Sequence, residues 1–300
     1  VQFVGLLATH TAGSTDKMGI AIGTESWSMS PGTLTGNNYV IVDNVIHDIA
    51  EEKTFSAVGI NLGATGGGSP TNNVVANNFI YNVRANGTTG DQAVGIGIAG
   101  GHSDKVVYNS IYMSGDVDPG GSAAASNFGS GIRVANASSA SHANLTLQNN
   151  IVHMNLFSSS TPAVRFYAIS GNSSGYSFGT GGENYNDFFI NTANTSVQTG
   201  GFGTVSGNTL STQFATLANW QTAYATAQDG NSIQTDPSFI SATNLHINTN
   251  SASVEGKGTP VAGLGQDIDG DLRDATTPDI GADEYVSTAV PCPVPANQPT

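Results

Sequence analysis

Two arginines at matching steps of a repeated phrase are the strongest sign of chemistry in this chain. The phrase GIAI at 19–22 returns as GINL at 59–62, GIGI at 95–98, GIRV at 131–134 and, more weakly, AVRF at 163–166. Its third step runs Ala21, Asn61, Gly97, Arg133, Arg165. If the phrases are strands laid on one another, that step faces outward and the two guanidinium groups project side by side. Like charges at that spacing repel unless an anion sits between them. Arg133 and Arg165, with Asn61 on the same column, therefore form a candidate subsite for a uronic acid, a sulfate or another carboxylate ligand. They could also supply the basic group of a β-elimination next to a carboxylate. The alternative, which the sequence favours, is an internal ion pair with Asp116, Asp118, Glu183 or Asp187.

A second set is the column His47, Tyr81, Tyr112 and His153, each closing a phrase that contains asparagine. Stacked rings facing outward can line a sugar-binding surface, because ring faces pack on the apolar faces of sugars. Such ladders more often cover a sheet or lie under a loop. The third set is DIDGDLRD, with Asp267, Asp269 and Asp271 at alternate positions, which echoes the start of a calcium loop. Leu272 stands where that loop needs glycine and Pro278 where it needs glutamate, so this is no EF-hand. Pairing of Arg273 with Asp279 or Glu284 is the favoured reading, and calcium is the one cofactor left open.

The elements that position these residues follow from the repeat. The asparagine phrases are IVDNVIH, VANNFIY, VVYNSIY, LQNNIVH and the degenerate ENYNDFF, ending at His47, Tyr81, Tyr112, His153 and Phe189. Openings of the first phrase lie 40, 36, 36 and 32 residues apart. A period that wobbles by loop lengths yet returns to one phrase means stacked coils with loops of free length. The expected fold is all-β, a right-handed parallel β-helix with layers about 4.8 Å apart. Ile20, Ile60, Ile96, Ile132 and Val164 form one predicted buried column, and Ile41, Val75, Val106 and Leu147 a second. Ile46, Ile80, Ile111, Val152 and Phe188 form a third. Asn44, Asn78, Asn109, Asn150 and Asn186 are expected to stack at a corner, amide on amide.

The coil pattern occupies 1–205. From 206 to 286 a short helix, the last coils and a capping segment are expected, with 279–285 pairing as a strand with the last coils, and 287–300 reads as a proline-rich linker or tail holding Cys292. In FATLANWQTAYATA, Phe214, Leu217, Trp220 or Gln221, and Tyr224 fall at helical spacing, which predicts a helix over 214–227 that covers the open end of the stack. Composition agrees: 38 Gly and only 10% charged residues make a turn-rich chain short of helix formers. A net charge of −14 argues against nucleic acid as a partner. No apolar run is long enough for membrane insertion. The tail reads as a spacer to further domains.

Three stretches carry a family resemblance: WQTAYATAQDGNSIQTDPSFIS, NLHINTNSASVEGKGTPV and DIDGDLRDATTPDIGADEY. Together they resemble the closing segment of bacterial parallel β-helix proteins of the choice-of-anchor Q type, within the pectate-lyase-like superfold. The resemblance implies an extracellular or surface-anchored bacterial protein, held by a sorting module placed further along, and no single activity. The hydrolytic pectinase signatures Asn-Thr-Asp, Asp-Asp, Gly-His-Gly and Arg-Ile-Lys are missing, and only GGH at 100–102 comes near them. Two functions stay open. The first is a non-catalytic adhesive or structural module that binds extracellular polymers, glycans or other surface proteins. The second is a polysaccharide lyase, or another carbohydrate-active enzyme, acting on acidic glycans.

Overall fold

A computed structural model describes residues 2–4, 16–24, 27, 34–51, 55–64, 70–87, 91–118, 128–134, 144–161, 163–171, 178–206, 209–223 and 228–288. Tyr224 of the expected helix and the tail with Cys292 lie outside the described residues. The chain is a parallel β-helix of three sheets. The Gly-Ile sheet stacks Lys17–Ile22, Ala57–Leu62, Ala93–Ile98, Gly129–Val134, Phe166–Gly171 and Val197–Ser206 in parallel, and Thr209–Phe214 closes it as an antiparallel edge. The pre-asparagine sheet stacks Val40–Val42, Val74–Ala76, Lys105–Val107, Leu145–Gln148 and Phe178–Asn184. The post-asparagine sheet stacks Gln2–Val4, Val45–Glu51, Phe79–Ala85, Ser110–Asp116, Ile151–Phe157 and Asp187–Ile190.

The three apolar columns form one continuous core, with Ile60, Ile80, Ile96, Val106, Ile111, Ile132, Leu147 and Val152 all fully buried. The glycine that opens each Gly-Ile phrase is there because the coil is narrow at that point. A Cβ added to Gly95 would come within 2.7 Å of Ile111 and within 2.5 Å of the Gly131 carbonyl in the next coil. Gly59 is equally tight against Ile80 and Gly95.

The asparagine column forms as expected and extends through the fifth coil. The side-chain amide of Asn44 donates to Asn78 Oδ1 at 2.9 Å, Asn78 to Asn109 at 2.8 Å, Asn109 to Asn150 at 3.0 Å and Asn150 to Asn186 at 3.0 Å. Each of those carbonyls also accepts the backbone N–H of the preceding rung's asparagine. The amide group of every ladder asparagine thereby finds an acceptor, which avoids a cost of about 1–3 kcal/mol for each buried polar group left unpaired. The residue that turns the corner is the one before the ladder. Asp43, Asn77, Tyr108, Asn149 and Tyr185 hold φ between 53° and 58°. A second corner, at Asn38, Asn72, Ser103 and Asn144, has φ between 51° and 61°. Asn is suited to this left-handed geometry, whereas the tyrosines at 108 and 185 adopt it at a steric cost.

Among the described residues the helix spans Leu217–Ala223, and it starts later than the sequence predicts because Phe214 ends the antiparallel edge strand instead. Leu217 and Trp220 join the core, and the indole lies so close to Gly200 that a Cβ there would be 2.2 Å from it. The helix thus covers the end of the stack. The chain then adds a last rung, where Ile233 bridges Asp187 in parallel and Ser232 Oγ accepts the Asn186 N–H at 2.9 Å.

Beyond it, residues 236–288 run back along the molecule as a strap that is irregular except for the ribbon Phe239–Ser241 with Asn244–Ile247. Residues 279–285 were expected to pair as a strand with the last coils; they form none and lie on the middle coils. Gly281 N–H donates to the Asn149 carbonyl at 2.8 Å and Ala282 N–H to Ser110 Oγ at 3.0 Å. The reason is that carboxylates claim the amides a sheet would need. Asp279 accepts the N–H groups of Gly256 and Tyr285, and Glu284 accepts those of Asp274 and Asp279.

Candidate functional site

The arginine pair does not form. Arg133 stands beside Ser170 in the next coil, because the fifth Gly-Ile strand is Phe166–Gly171 and Ile169, not Val164, continues the inner column. The phrase in that coil is AIS at 168–170, opening with alanine where the others have glycine, and the AVRF match lies just ahead of it. Val164 is still buried in the core, but Arg165 precedes the strand and donates to the Val164 carbonyl at 3.0 Å. Arg133 is fully buried, donates to Ser170 Oγ at 2.9 Å and lies over the Phe128 ring at 4.6 Å. Asn61 is fully buried too, its amide 3.5 Å from Met18 Sδ. Trp27 rests on Gly97 between them, so close that a Cβ at 97 would meet the indole at 2.2 Å. From Asn61 to Arg133 the outward column of this sheet is covered by the chain's own residues, while Ala21 at its start is exposed.

The ring column does form. His47, Tyr81, Tyr112, His153 and Phe189 are in register from coil to coil. His47 and Tyr81 stack with centroids 4.9 Å apart and planes within 5°. Tyr112 and His153 meet at 4.5 Å, and Phe239 of the strap lies over both at 6.2 and 6.3 Å. His47 and Tyr81 are buried, and burial pulls the His153 pKa down to about 4 against the opposing charge of Asp236. The column is therefore the floor beneath the strap.

The acidic ending divides its labour. Asp267 is buried and accepts the backbone N–H groups of Asp269, Asp271 and Glu284, so its carboxylate builds a turn. Asp271 is exposed. Asp269 turns away from both toward His246, with Oδ2 2.7 Å from Nε2. Among the described residues, the group with metal-ligand geometry is His246, Asp269 and Asp283, whose donor atoms lie within 4.8 Å of one another. Arg273 is buried as expected of a paired cation: it bonds Glu284 at 3.2 Å, Asn77 Oδ1 at 3.0 Å and the Gly281 carbonyl at 3.0 Å, and covers the Tyr108 ring at 4.0 Å.

Sequence reasoning named Glu183 and Asp187 only as ion-pair partners for the arginines, and it missed Asp229 and the burial of all three acids at this end of the stack. The ladder ends at Asp229, which accepts from the Trp220 indole at 2.8 Å and from Ser232 Oγ at 2.5 Å. Glu183 is buried against it, and burial together with the Asp229 charge holds its pKa well above the usual carboxylate range. Asp187, also fully buried, is raised for the same first cause. One signal was available: both Glu183 and Asp187 flank the fifth ladder asparagine, inside the repeat. Among the described residues, grooves open on the surface beside the strap. One, of about 740 Å³, is lined by Val40, Asp43, Asn77, Gln266 and Asp269, and the other, of about 790 Å³, by His246, Asp271, Asp274, Glu284 and Val286. Compared with known proteins, the chain matches no family model and no curated protein.

Proposed function

We propose that this chain is a non-catalytic β-helix module of a secreted or surface-displayed bacterial protein, adhesive or structural in role, and kin to the choice-of-anchor Q type. One observation carries the reading. Both surfaces that the repeat offers for chemistry are covered over their middle coils by the chain's own residues: Trp27 and Phe128 lie on the Gly-Ile column at Gly97 and Arg133, and Phe239 of the strap lies over Tyr112 and His153. Among the described residues, the grooves beside the strap are the concave surface open to partners.

The lyase alternative fits less well. Such an enzyme must neutralise a uronate carboxylate in an open groove, yet Arg133 is buried and carboxylates line both grooves. With a net charge of −14 added, acidic glycans would be repelled, so the favoured partners are neutral glycans or other surface proteins. The test is to incubate the module with polyuronates while following ultraviolet absorbance of unsaturated products and reducing ends, and in parallel to screen neutral and acidic glycan arrays. The expected result is no turnover and no retention on acidic glycans. Turnover of a polyuronate to unsaturated products by the folded module would overturn this reading in favour of the lyase.

A further inference from the structure

His246 faces oxygen on both sides of its ring. Nδ1 lies 2.5 Å from Asn244 Oδ1, and that same oxygen accepts the His246 backbone N–H at 3.2 Å, which identifies it as an acceptor. The proton of a neutral imidazole must therefore sit on Nδ1. Nε2 is then left with its lone pair aimed at Asp269 Oδ2, 2.7 Å away. Two lone pairs at that distance need a positive centre between or beside them.

Asp283 supplies a third donor. It is buried, its Oδ2 accepts the Ile247 N–H at 2.7 Å, and its other oxygen takes no hydrogen bond from the described residues. The edge of Phe79 meets the His246 ring at 4.8 Å and 81°, holding it in place from the β-helix side. An imidazole fixed by an Nδ1–H bond to an amide carbonyl, with Nε2 toward two carboxylates, is the arrangement that outer partners give a metal-bound histidine.

We propose that His246, Asp269 and Asp283 bind a divalent metal ion of the zinc class. The ligand types select it. Calcium takes six to eight oxygens, whereas one imidazole and two carboxylates suit zinc and leave a position for water. The three ligands come from three separate stretches of the strap: the strand Asn244–Ile247, the turn at 267–271 and the closing segment at 279–285. A bound ion joins them and fastens the strap over the post-asparagine sheet. Asp267, which the spacing grouped with Asp269, supports the site by building its turn.

The test uses the whole chain after chelator treatment, titrated by calorimetry with zinc chloride and separately with calcium chloride. Thermal melts and the visible spectrum of a cobalt(II)-substituted sample complete it. Expected are one zinc equivalent bound, a rise in melting temperature with zinc and none with calcium, and a cobalt spectrum of low coordination number. Asn244→Ala should weaken zinc about tenfold through loss of ring orientation. His246→Gln and the more exposed Asp269→Asn should weaken it further, while Asp271→Ala binds as the parent does. Zinc affinity unchanged in Asp269→Asn and His246→Gln would overturn the proposal. So would the absence of any zinc binding by the parent chain, which would leave the contact between His246 Nε2 and Asp269 Oδ2 as a hydrogen bond alone.

Discussion

At the scale of single residues, the chain keeps three acids, Glu183, Asp187 and Asp229, where water cannot reach them. Glu183 is the extreme case, buried and pressed against Asp229, with its pKa raised first by burial and then by that neighbour. In the folded chain its proton stays on, while in the unfolded chain it leaves above the ordinary glutamate pKa near 4.5. Each pH unit above that value therefore costs about 1.4 kcal/mol of stability until Glu183 itself ionises. His153 works in the other direction. Its pKa is lowered to about 4. Between about 6.5 and 4 only the unfolded chain gains the proton, and acid destabilises the fold. Glu183→Gln keeps a donor toward Asp229 and removes the first effect. Its melting temperature should exceed that of the parent chain by a margin that widens from pH 5 to pH 8. Parallel melting curves at the two pH values would show that Glu183 is not protonated in the fold.

At the scale of elements, the corner between the pre- and post-asparagine sheets does two jobs with neighbouring residues. The ladder asparagine faces in and ties each rung to the next, while the left-handed residue before it faces out and catches the strap. Asn149 exchanges two bonds with Thr259, at 2.8 and 2.9 Å, Tyr108 donates to the Thr259 carbonyl at 2.7 Å, and Asn77 donates to Gln266 and accepts from Arg273. Asn109→Ala removes the inner function alone. It leaves the Asn78 backbone and side-chain donors, and the Val75 and Val107 carbonyls, without their partner inside the stack. At about 1–3 kcal/mol for a buried group left unsatisfied, urea denaturation should show a loss of at least that size. A change below 0.5 kcal/mol, on the order of a neutral surface substitution, would mean that water takes over the ladder.

At the scale of the whole molecule, the stack and the strap are held together by Arg273 as much as by apolar contact. Its guanidinium joins Glu284 and Gly281 within the strap to Asn77 on the corner and the Tyr108 ring. Arg273→Ala strands these partners in a buried setting, and breaking a buried pair in this way costs about 3 kcal/mol. The expected result is a lower melting temperature with faster amide exchange confined to 256–286, while the coils keep their protection. Equal loss of protection in the coils would show that the strap and the stack fold as one unit.

The period of the phrases was enough to determine the parallel β-helix, its inner columns and its asparagine ladder. An inward apolar residue and a self-pairing amide must recur at every rung for any coil to be stable. The glycine before each inner isoleucine follows from the same repetition, since neither a wall nor a neighbouring carbonyl can yield to a Cβ there. Tertiary structure alone decided what covers the outside. A side chain that alternation points outward reaches water only if nothing else lies on it, and Trp27 and Phe239 come from loops and a strap that obey no period. The same limit explains Arg165: the fifth coil opens on Ala168, and a degenerate match five residues earlier placed the arginine on a rung it does not occupy. It also explains His246 and Asp283, which meet only because the strap doubles back on the corner. No local spacing reports that proximity, because the contacts that bend the strap are made with residues more than a hundred positions away.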